Sequence, residues 1–320
     1  MNMTSTAAES DRTDRATTDA APAAQPRFAV CVTTMNRTGT LSGCLDKLTQ
    51  CDPPPALIVV SDDSTDPSVR ALNEATAAAH PGVAYLIGPK RGVCANRNNA
   101  VRHCLAQASP CDYVSFVDDD ILVEPDFFAT ARVHYTSVPA ELLDKTILTG
   151  GPQSGPHMHQ VWPMRLSFAC YFARGDVPQC VHINASVFPL QLFASETFDE
   201  NIFFGTEDAE LCLRALRRAY RIELEPGLRA WDTMPGGGVL TGTQTAGLTR
   251  YQLCCEAARL YIGVKRYRVI EPNLLRCAAF VCFYFGHMTV YLARHRALSQ
   301  LVPIVRTSNV WRIRAARLAR

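Results

Sequence analysis

Three aspartates, Asp118, Asp119 and Asp120, directly follow the apolar run Tyr113–Val117. Like charges this close repel, and burial makes the repulsion worse, so something positive should sit beside them. If the backbone stays extended through Asp118, side chains alternate and Asp118 and Asp120 point to one side. Two carboxylates aimed at one spot suit a hard divalent cation, Mg2+ or Mn2+, which takes few protein ligands and shares substrate phosphates. The same residues also suit a solvated acidic turn that leads into a helix after "ILVEPDFF". There Asp126, next to Pro125, reads as a first-turn acidic residue. The residues alone leave both readings open.

Other polar clusters carry chemistry as well. "TTMNR" spans Thr33–Arg37, "SDDSTD" spans Ser61–Asp66, and "GPKRGVCANRNN" spans Gly88–Asn99. In the second, Asp62 is assigned to recognition, accepting hydrogen bonds from a nucleobase N–H or a ribose hydroxyl. Asp66 is assigned to capping the helix that follows. In the third, Lys90, Arg91, Arg97 and Arg102 supply positive charge, and Gly92 permits close backbone approach. Arg97 falls in the first turns of a helix, where the dipole disfavours a cation. That placement makes sense if it faces a base or phosphate; a solvated basic face is the alternative. Further on, "FDENIFFGTEDAELCLRALRR" predicts a helix from Thr206. Leu211, Cys212, Ala215, Leu216 and Ala219 share one face, and Glu207 and Asp208 occupy the first turn. Those carboxylates either complement the dipole or present a general base to a substrate hydroxyl.

The elements that must position these clusters are legible as texture. Short apolar runs at Phe28–Val32, Leu57–Val60, Val83–Ile87 and Tyr113–Val117 read as strands, with helix-spaced stretches between them. Alternating strand and helix predicts an α/β domain whose first half is a parallel sheet with helices on both faces. All four polar clusters then sit at carboxyl ends of strands, where open α/β sheets bind ligands.

Taken together the motifs resemble the family 2 glycosyltransferases of GT-A fold. "AVCVTTMNR" looks like that family's first strand and nucleotide loop, with Thr33 in place of a proline and Met35 in place of an aromatic. "VVSDDSTD" resembles its Val-Asp-Asp-Gly-Ser-Thr-Asp turn, with Ser61 and Asp63 as departures. "GVCANRNNAV" is similar to its Gly…Ala-Arg-Asn stretch, "FVDDDILVEPDFF" matches its Asp-x-Asp element, and "INASVF…FDENIFFGTEDAELCLR" resembles its acceptor-side stretch ending in Glu-Asp. The resemblance covers about residues 27–235.

It implies a Rossmann-like, mostly parallel sheet flanked by helices, and an inverting, divalent-metal-dependent transfer from a UDP- or dTDP-linked sugar to a glycan or lipid-linked acceptor. A hexosyl- or rhamnosyltransferase of polysaccharide biosynthesis is the class expected. Thr33, Thr34, Asn36, Asp62, Arg91, Arg97 and Asp118 would contact the nucleotide sugar. Asp118 and Asp120 would surround Mn2+ or Mg2+. Asp208, beside Glu207, would be the base. The family often carries a metal-binding histidine some twenty residues past Glu-Asp; this chain has Asp232 near that place. "PGGG" after it is a lid candidate. "GGPQSGPHMHQVW" (Gly150–Trp162), with His157 and His159, reads as a loop lining the acceptor cleft. A sugar nucleotidyltransferase is disfavoured by the single glycine of "TTMNRTGT"; a non-catalytic nucleotide- or glycan-binding protein is the remaining alternative.

The organisation expected is a disordered arm over 1–26, a catalytic domain over 27–242 and a helical basic extension over 243–320. Within the catalytic domain, 27–120 is the nucleotide-binding half and 121–242 the acceptor half. Of 320 residues 48% are hydrophobic and 19% charged, a globular balance. The net charge of +2 says little, but after Glu271 there is no Asp or Glu and eight arginines follow. That tail reads as a surface for an anionic partner such as lipid headgroups. Cys277–Ala293 carries no formal charge and is at the short limit for a spanning helix; an interfacial helix is expected, with a helix packed on the catalytic domain as the alternative. The thirteen cysteines, many at apolar-periodic positions, and the absence of an apolar signal core point to a reduced, cytoplasmic protein, peripheral on the inner face of the membrane. No nucleic-acid partner is expected.

Overall fold

The computed structural model describes residues 25–153, 162–234 and 239–313. The acceptor-loop histidines His157 and His159, the "PGGG" lid, nearly all of the N-terminal arm and the last three arginines lie outside them.

The chain opens with β1 (Phe28–Thr34), α1 (Leu41–Thr49), β2 (Leu57–Asp62), α2 (Pro67–Ala78), β3 (Val83–Ile87), α3 (Val93–Leu105) and β4 (Tyr113–Asp118). It continues through β5 (Ile121–Val123), α4 (Phe127–Ser137), β6 (Thr146–Gln153), the hairpin β7 (Met164–Leu166) and β8 (Phe172–Arg174), β9 (Ser186–Pro189) and the short α5 (Leu192–Ser195). Then come α6 (Glu207–Arg217), β10 (Arg221–Asp232), α7 (Val239–Gly242), α8 (Arg250–Lys265), α9 (Leu274–Arg294) and α10 (Leu301–Ser308). Eight strands form one sheet in the order β3-β2-β1-β4-β9-β6-β10-β5. β1 pairs parallel with both β2 and β4, whereas β9 is antiparallel to β4 and to β6, and β10 runs parallel to β6. The sheet is therefore mixed, an α/β fold flanked by helices with a helical C-terminal extension.

Strand alternation divides the core into two layers. Phe28, Val30 and Val32 of β1 pack with α1 and α4, while Ala29 and Cys31 pack on the other face with α3 and Phe116. That second layer continues without a break into Tyr261 of α8 and Phe280, Tyr284, Met288 and Leu292 of α9. Gly263 makes the contact possible: a Cβ there would fall 2.0 Å from the Phe280 ring. α8 begins with a capping box between Thr249 and Gln252 and runs on through a π-helical turn, Arg266–Ile270. At α2 the expected cap is present: Asp66 accepts the Ser68 N–H, with Pro67 at the first helical position.

Candidate active site

A cavity of about 410 Å³ opens at the carboxyl edge of β1 and β4, and Thr33, Thr34, Asp118, Asp119 and Asp120 line it. Asp232 comes to the same cavity because β10 pairs with β5, setting Asp232 opposite Ile121, and the Thr233 N–H bonds the Asp120 carbonyl at 3.0 Å. Gly92, Phe203 and Tyr251 also line this cavity.

Each of the three adjacent aspartates has its own partners. Asp118 Oδ1 accepts Thr33 Oγ1 at 3.0 Å and Arg97 Nη2 at 3.2 Å. Asn184 braces the same residue twice, donating to its Oδ2 at 3.2 Å and accepting its N–H at 3.0 Å. Asp119 accepts Thr34 Oγ1 at 2.5 Å and Arg37 Nη1 at 2.9 Å, and Arg37 Nη1 also donates to Asp120. Burial pushes the Asp119 carboxyl up to about 6, against the pull of Thr34 and Arg37. Burial raises Asp120 as well. The positive partner that the acidic triplet demands is thus supplied in part by Arg37 and Arg97.

Arg97 holds the site together from behind. Its side chain is 3% exposed and bridges Asp118 to Glu207, whose Oε1 it meets at 2.5 Å. The Glu207 Oε2 accepts the Gly205 N–H at 2.9 Å. Both carboxylates keep the Arg97 guanidinium charged despite its burial. Next to Glu207, Asp208 lies half-buried in the first turn of α6, with its Oδ1 accepting the Ala209 N–H at 2.7 Å. Burial, reinforced by the charge of Glu207, raises its carboxyl to about 7. A carboxylate poised near neutrality can take a proton from a hydroxyl and give it up again.

Several residues sit elsewhere than the sequence suggested. Arg97, expected to touch the diphosphate, is walled off from the cavity and acts on Asp118 and Glu207 instead. Asp62, expected to recognise a nucleoside, is fully buried; its carboxylate accepts the Ser64 N–H, Asn73 Nδ2 and the Tyr85 hydroxyl at 2.7, 2.9 and 2.8 Å. Asp63, the next residue, lines the cavity in its place and accepts the Lys90 N–H at 2.8 Å. Asn36 ties two loops together: its N–H bonds Ser64 Oγ at 2.7 Å and its Oδ1 accepts the Thr65 N–H at 2.9 Å. Arg91 is exposed and pairs with Glu200 at 2.9 Å, outside this cavity. Neither Glu207 nor Asp208 lines the cavity.

Arg37, Asp63 and Asn184 were missed as site residues. Arg37 had a signal: it is the cation in the loop facing the acidic triplet. Asn184 had none, because its position depends on β9 pairing antiparallel into the sheet.

Five carboxylates (Asp63, Asp118, Asp119, Asp120, Asp232) and one guanidinium (Arg37) line the cavity, leaving four formal negative charges. Among the described residues no three Asp, Glu, His or Cys side chains converge into a ready-made metal cage. The oxygen-only donor set nonetheless fits Mg2+ or Mn2+, which binds through one or two carboxylates and lets substrate phosphates complete its shell.

Residues 29–133 match the profile of Glycosyl transferase family 2. No curated protein matches. Among solved structures, the chain is similar to the mannosyltransferase PcManGT from Pyrobaculum calidifontis, determined in complex with GDP-Man and Mn2+. The identity is 16%, the match covers 90% of this chain and 87% of that one, and the TM-score is 0.51. It also aligns with S. aureus TarS at 15% identity, over 81% of this chain and 43% of that one, with a TM-score of 0.49. The fold is glycosyltransferase-like, of the GT-A type.

Proposed function

We propose that the protein is an inverting glycosyltransferase that moves a hexosyl or rhamnosyl group from a nucleoside-diphosphate sugar to a hydroxyl of a glycan or lipid-linked acceptor. The observation that carries this reading is the acidic cavity at the strand ends, joined through Arg97 to the helix start that bears Asp208. Thr33, Thr34 and Asp63 offer hydroxyl and carboxylate contacts to the nucleoside. Asp120 and Asp118 would hold a divalent cation, with Asp232 as a further oxygen donor; when bound, that ion neutralises charge on the departing diphosphate.

Asp208 takes the proton of the acceptor hydroxyl. The oxygen attacks the anomeric carbon from the face opposite the leaving group, and the carbon–oxygen bond to the diphosphate breaks with its electron pair. Asn184, Thr33 and Arg97 fix Asp118 so that no reorganisation is needed during the reaction. UDP- and dTDP-linked donors come first, with a GDP-linked donor also open; PcManGT was determined with GDP-Man.

The test is calorimetric titration with UDP, dTDP and GDP, each with Mn2+, with Mg2+ and with EDTA, followed by turnover of the selected donor by wild type and Asp208→Asn. Metal-dependent binding of one nucleotide, with turnover lost and binding kept in the variant, supports the reading. Binding that ignores EDTA discards the metal. No binding of any nucleotide discards the enzyme. Release of pyrophosphate from a nucleoside triphosphate would reassign the site to nucleotidyl transfer.

A further inference from the structure

α9 is 21 residues long, and its most apolar stretch has a mean hydropathy of 1.3 with only 17% of it buried. Its inner face is made by Phe280, Tyr284, Met288 and Leu292, spaced one turn apart and fully enclosed. Its outer face carries Leu275, Ala279, Cys282, Phe283, Val290 and Ala293, all exposed. Leu275 is 85% and Leu274 78% exposed. Between Arg276 and Arg294 this outer face has no charge over about 27 Å of helix. Its one hydroxyl, Thr289 Oγ1, is turned back onto the Phe285 carbonyl at 2.8 Å. A helix facing water normally presents charged residues there. The apolar surface widens sideways: exposed Phe168, on the β7–β8 hairpin, approaches Phe283 at 6.3 Å between ring centres, and exposed Tyr171 meets His287.

The rim decides what covers this face. Arg276 stands at one end and Arg294 and Arg296 at the other, all exposed and without an ion pair among the described residues. No acidic residue follows Glu271, and Glu271 is itself paired with Arg266 at 2.9 Å. A second copy of this chain would bring arginine against arginine. An anionic lipid surface offers hydrocarbon to the stripe and phosphate to the rim.

The inner face excludes a spanning helix. Arg259 lies between the rings of Tyr171 and Tyr284, 4.4 Å from each centre, with Glu256 Oε2 at 2.6 Å. Withdrawing α9 into a bilayer would strip the cover from that buried ion pair. We infer that the outer face of α9, with the Phe168–Tyr171 turn beside it, is a docking surface for an anionic lipid bilayer, on which the protein lies with α9 in the plane of the headgroups.

Vesicle flotation of the full chain tests this, using pure phosphatidylcholine and phosphatidylcholine mixed with phosphatidylglycerol. Wild type should float with the mixed vesicles and not with the neutral ones, and should dissociate as salt is raised. Leu275→Asp with Phe283→Asp should lower the partition at least about tenfold, because each removes the burial of a large apolar side chain. Arg276→Glu with Arg294→Glu should abolish the preference for anionic vesicles. All these positions are exposed, so unchanged thermal unfolding and nucleotide titration report an intact catalytic fold and keep this test separate from the proposed transfer activity. Absent flotation of wild type, or flotation indifferent to both pairs of substitutions, overturns the inference. So does a concentration-dependent dimer in sedimentation that the Leu275/Phe283 pair dissolves, which would give the surface to a second copy.

Discussion

Arg97 Nη1 lies 2.5 Å from Glu207 Oε1, and the two residues are 110 positions apart in the chain. Through this contact the start of α3 is fixed to the start of α6, beside Asp208. Arg97→Ala leaves two carboxylates facing an empty space, at a cost of about 3–5 kcal/mol for one broken buried pair. Urea unfolding should show that loss. Arg97→Lys keeps the charge without the planar fork and should recover part of the stability but little of the turnover. Equal recovery of both would mean that Arg97 does not orient the site.

The pH profile follows from Asp208. Its carboxyl is raised to about 7, chiefly by burial and next by Glu207. Acting as the proposed base requires the ionised form, so turnover should rise through about pH 7 and level off above it. Stability runs the other way. The unfolded chain ionises this group at about 4, so between about 4 and about 7 the folded state binds more protons and stability falls as pH rises. Asp208→Asn removes that slope. Chemical denaturation should find the variant more stable than wild type at pH 8 and closer to it at pH 4. A turnover profile flat from pH 5 to 8 would count against the base assignment.

Arg37 already holds Asp119 and Asp120 with its own positive charge. A divalent ion entering the cavity competes with that guanidinium. Arg37→Ala should therefore bind Mn2+ alone more tightly, by about tenfold or more, in a titration without nucleotide. The apparent pKa of Asp119, followed by NMR, should climb above that of wild type. Unchanged Mn2+ affinity would place the ion away from Asp119 and Asp120.

Gly92 has φ of +95°, and a Cβ there would fall 2.6 Å from the Phe203 carbonyl oxygen. Gly92→Ala should destabilise the chain by about 1–3 kcal/mol. Phe203 also lines the cavity, so nucleotide affinity should drop along with stability; affinity unchanged in a destabilised variant would separate this wall from the donor site.

The first four strands, the α2 cap and the acidic first turn of α6 were legible because each is written locally, in apolar periodicity or a capping residue. Asp62 and Asp63 were not separable. They are adjacent at a strand end, alternation turns them to opposite sides, and which side faces ligand depends on Asn73 and Tyr85 closing around one of them. Arg97 was assigned to a ligand because its partner, Glu207, is remote in sequence. The antiparallel insertion of β9 and the return of β10 to β5 were invisible for the same reason. They deliver Asn184 and Asp232 to a site that begins at the ends of β1 and β4.

The continuity of the inner core from Phe116 to Phe280, Tyr284 and Leu292 has a consequence for biogenesis. During synthesis the sheet and α3 emerge well before α8 and α9, which extend the same apolar core. Until α9 has left the ribosome, Gly263 and Tyr267 lack the cover of Phe280, and the nascent chain carries an open apolar face. A chain halted at residue 242 should accumulate as an insoluble or chaperone-held intermediate, with completion of the last helices acting as the step that commits the protein to its native state.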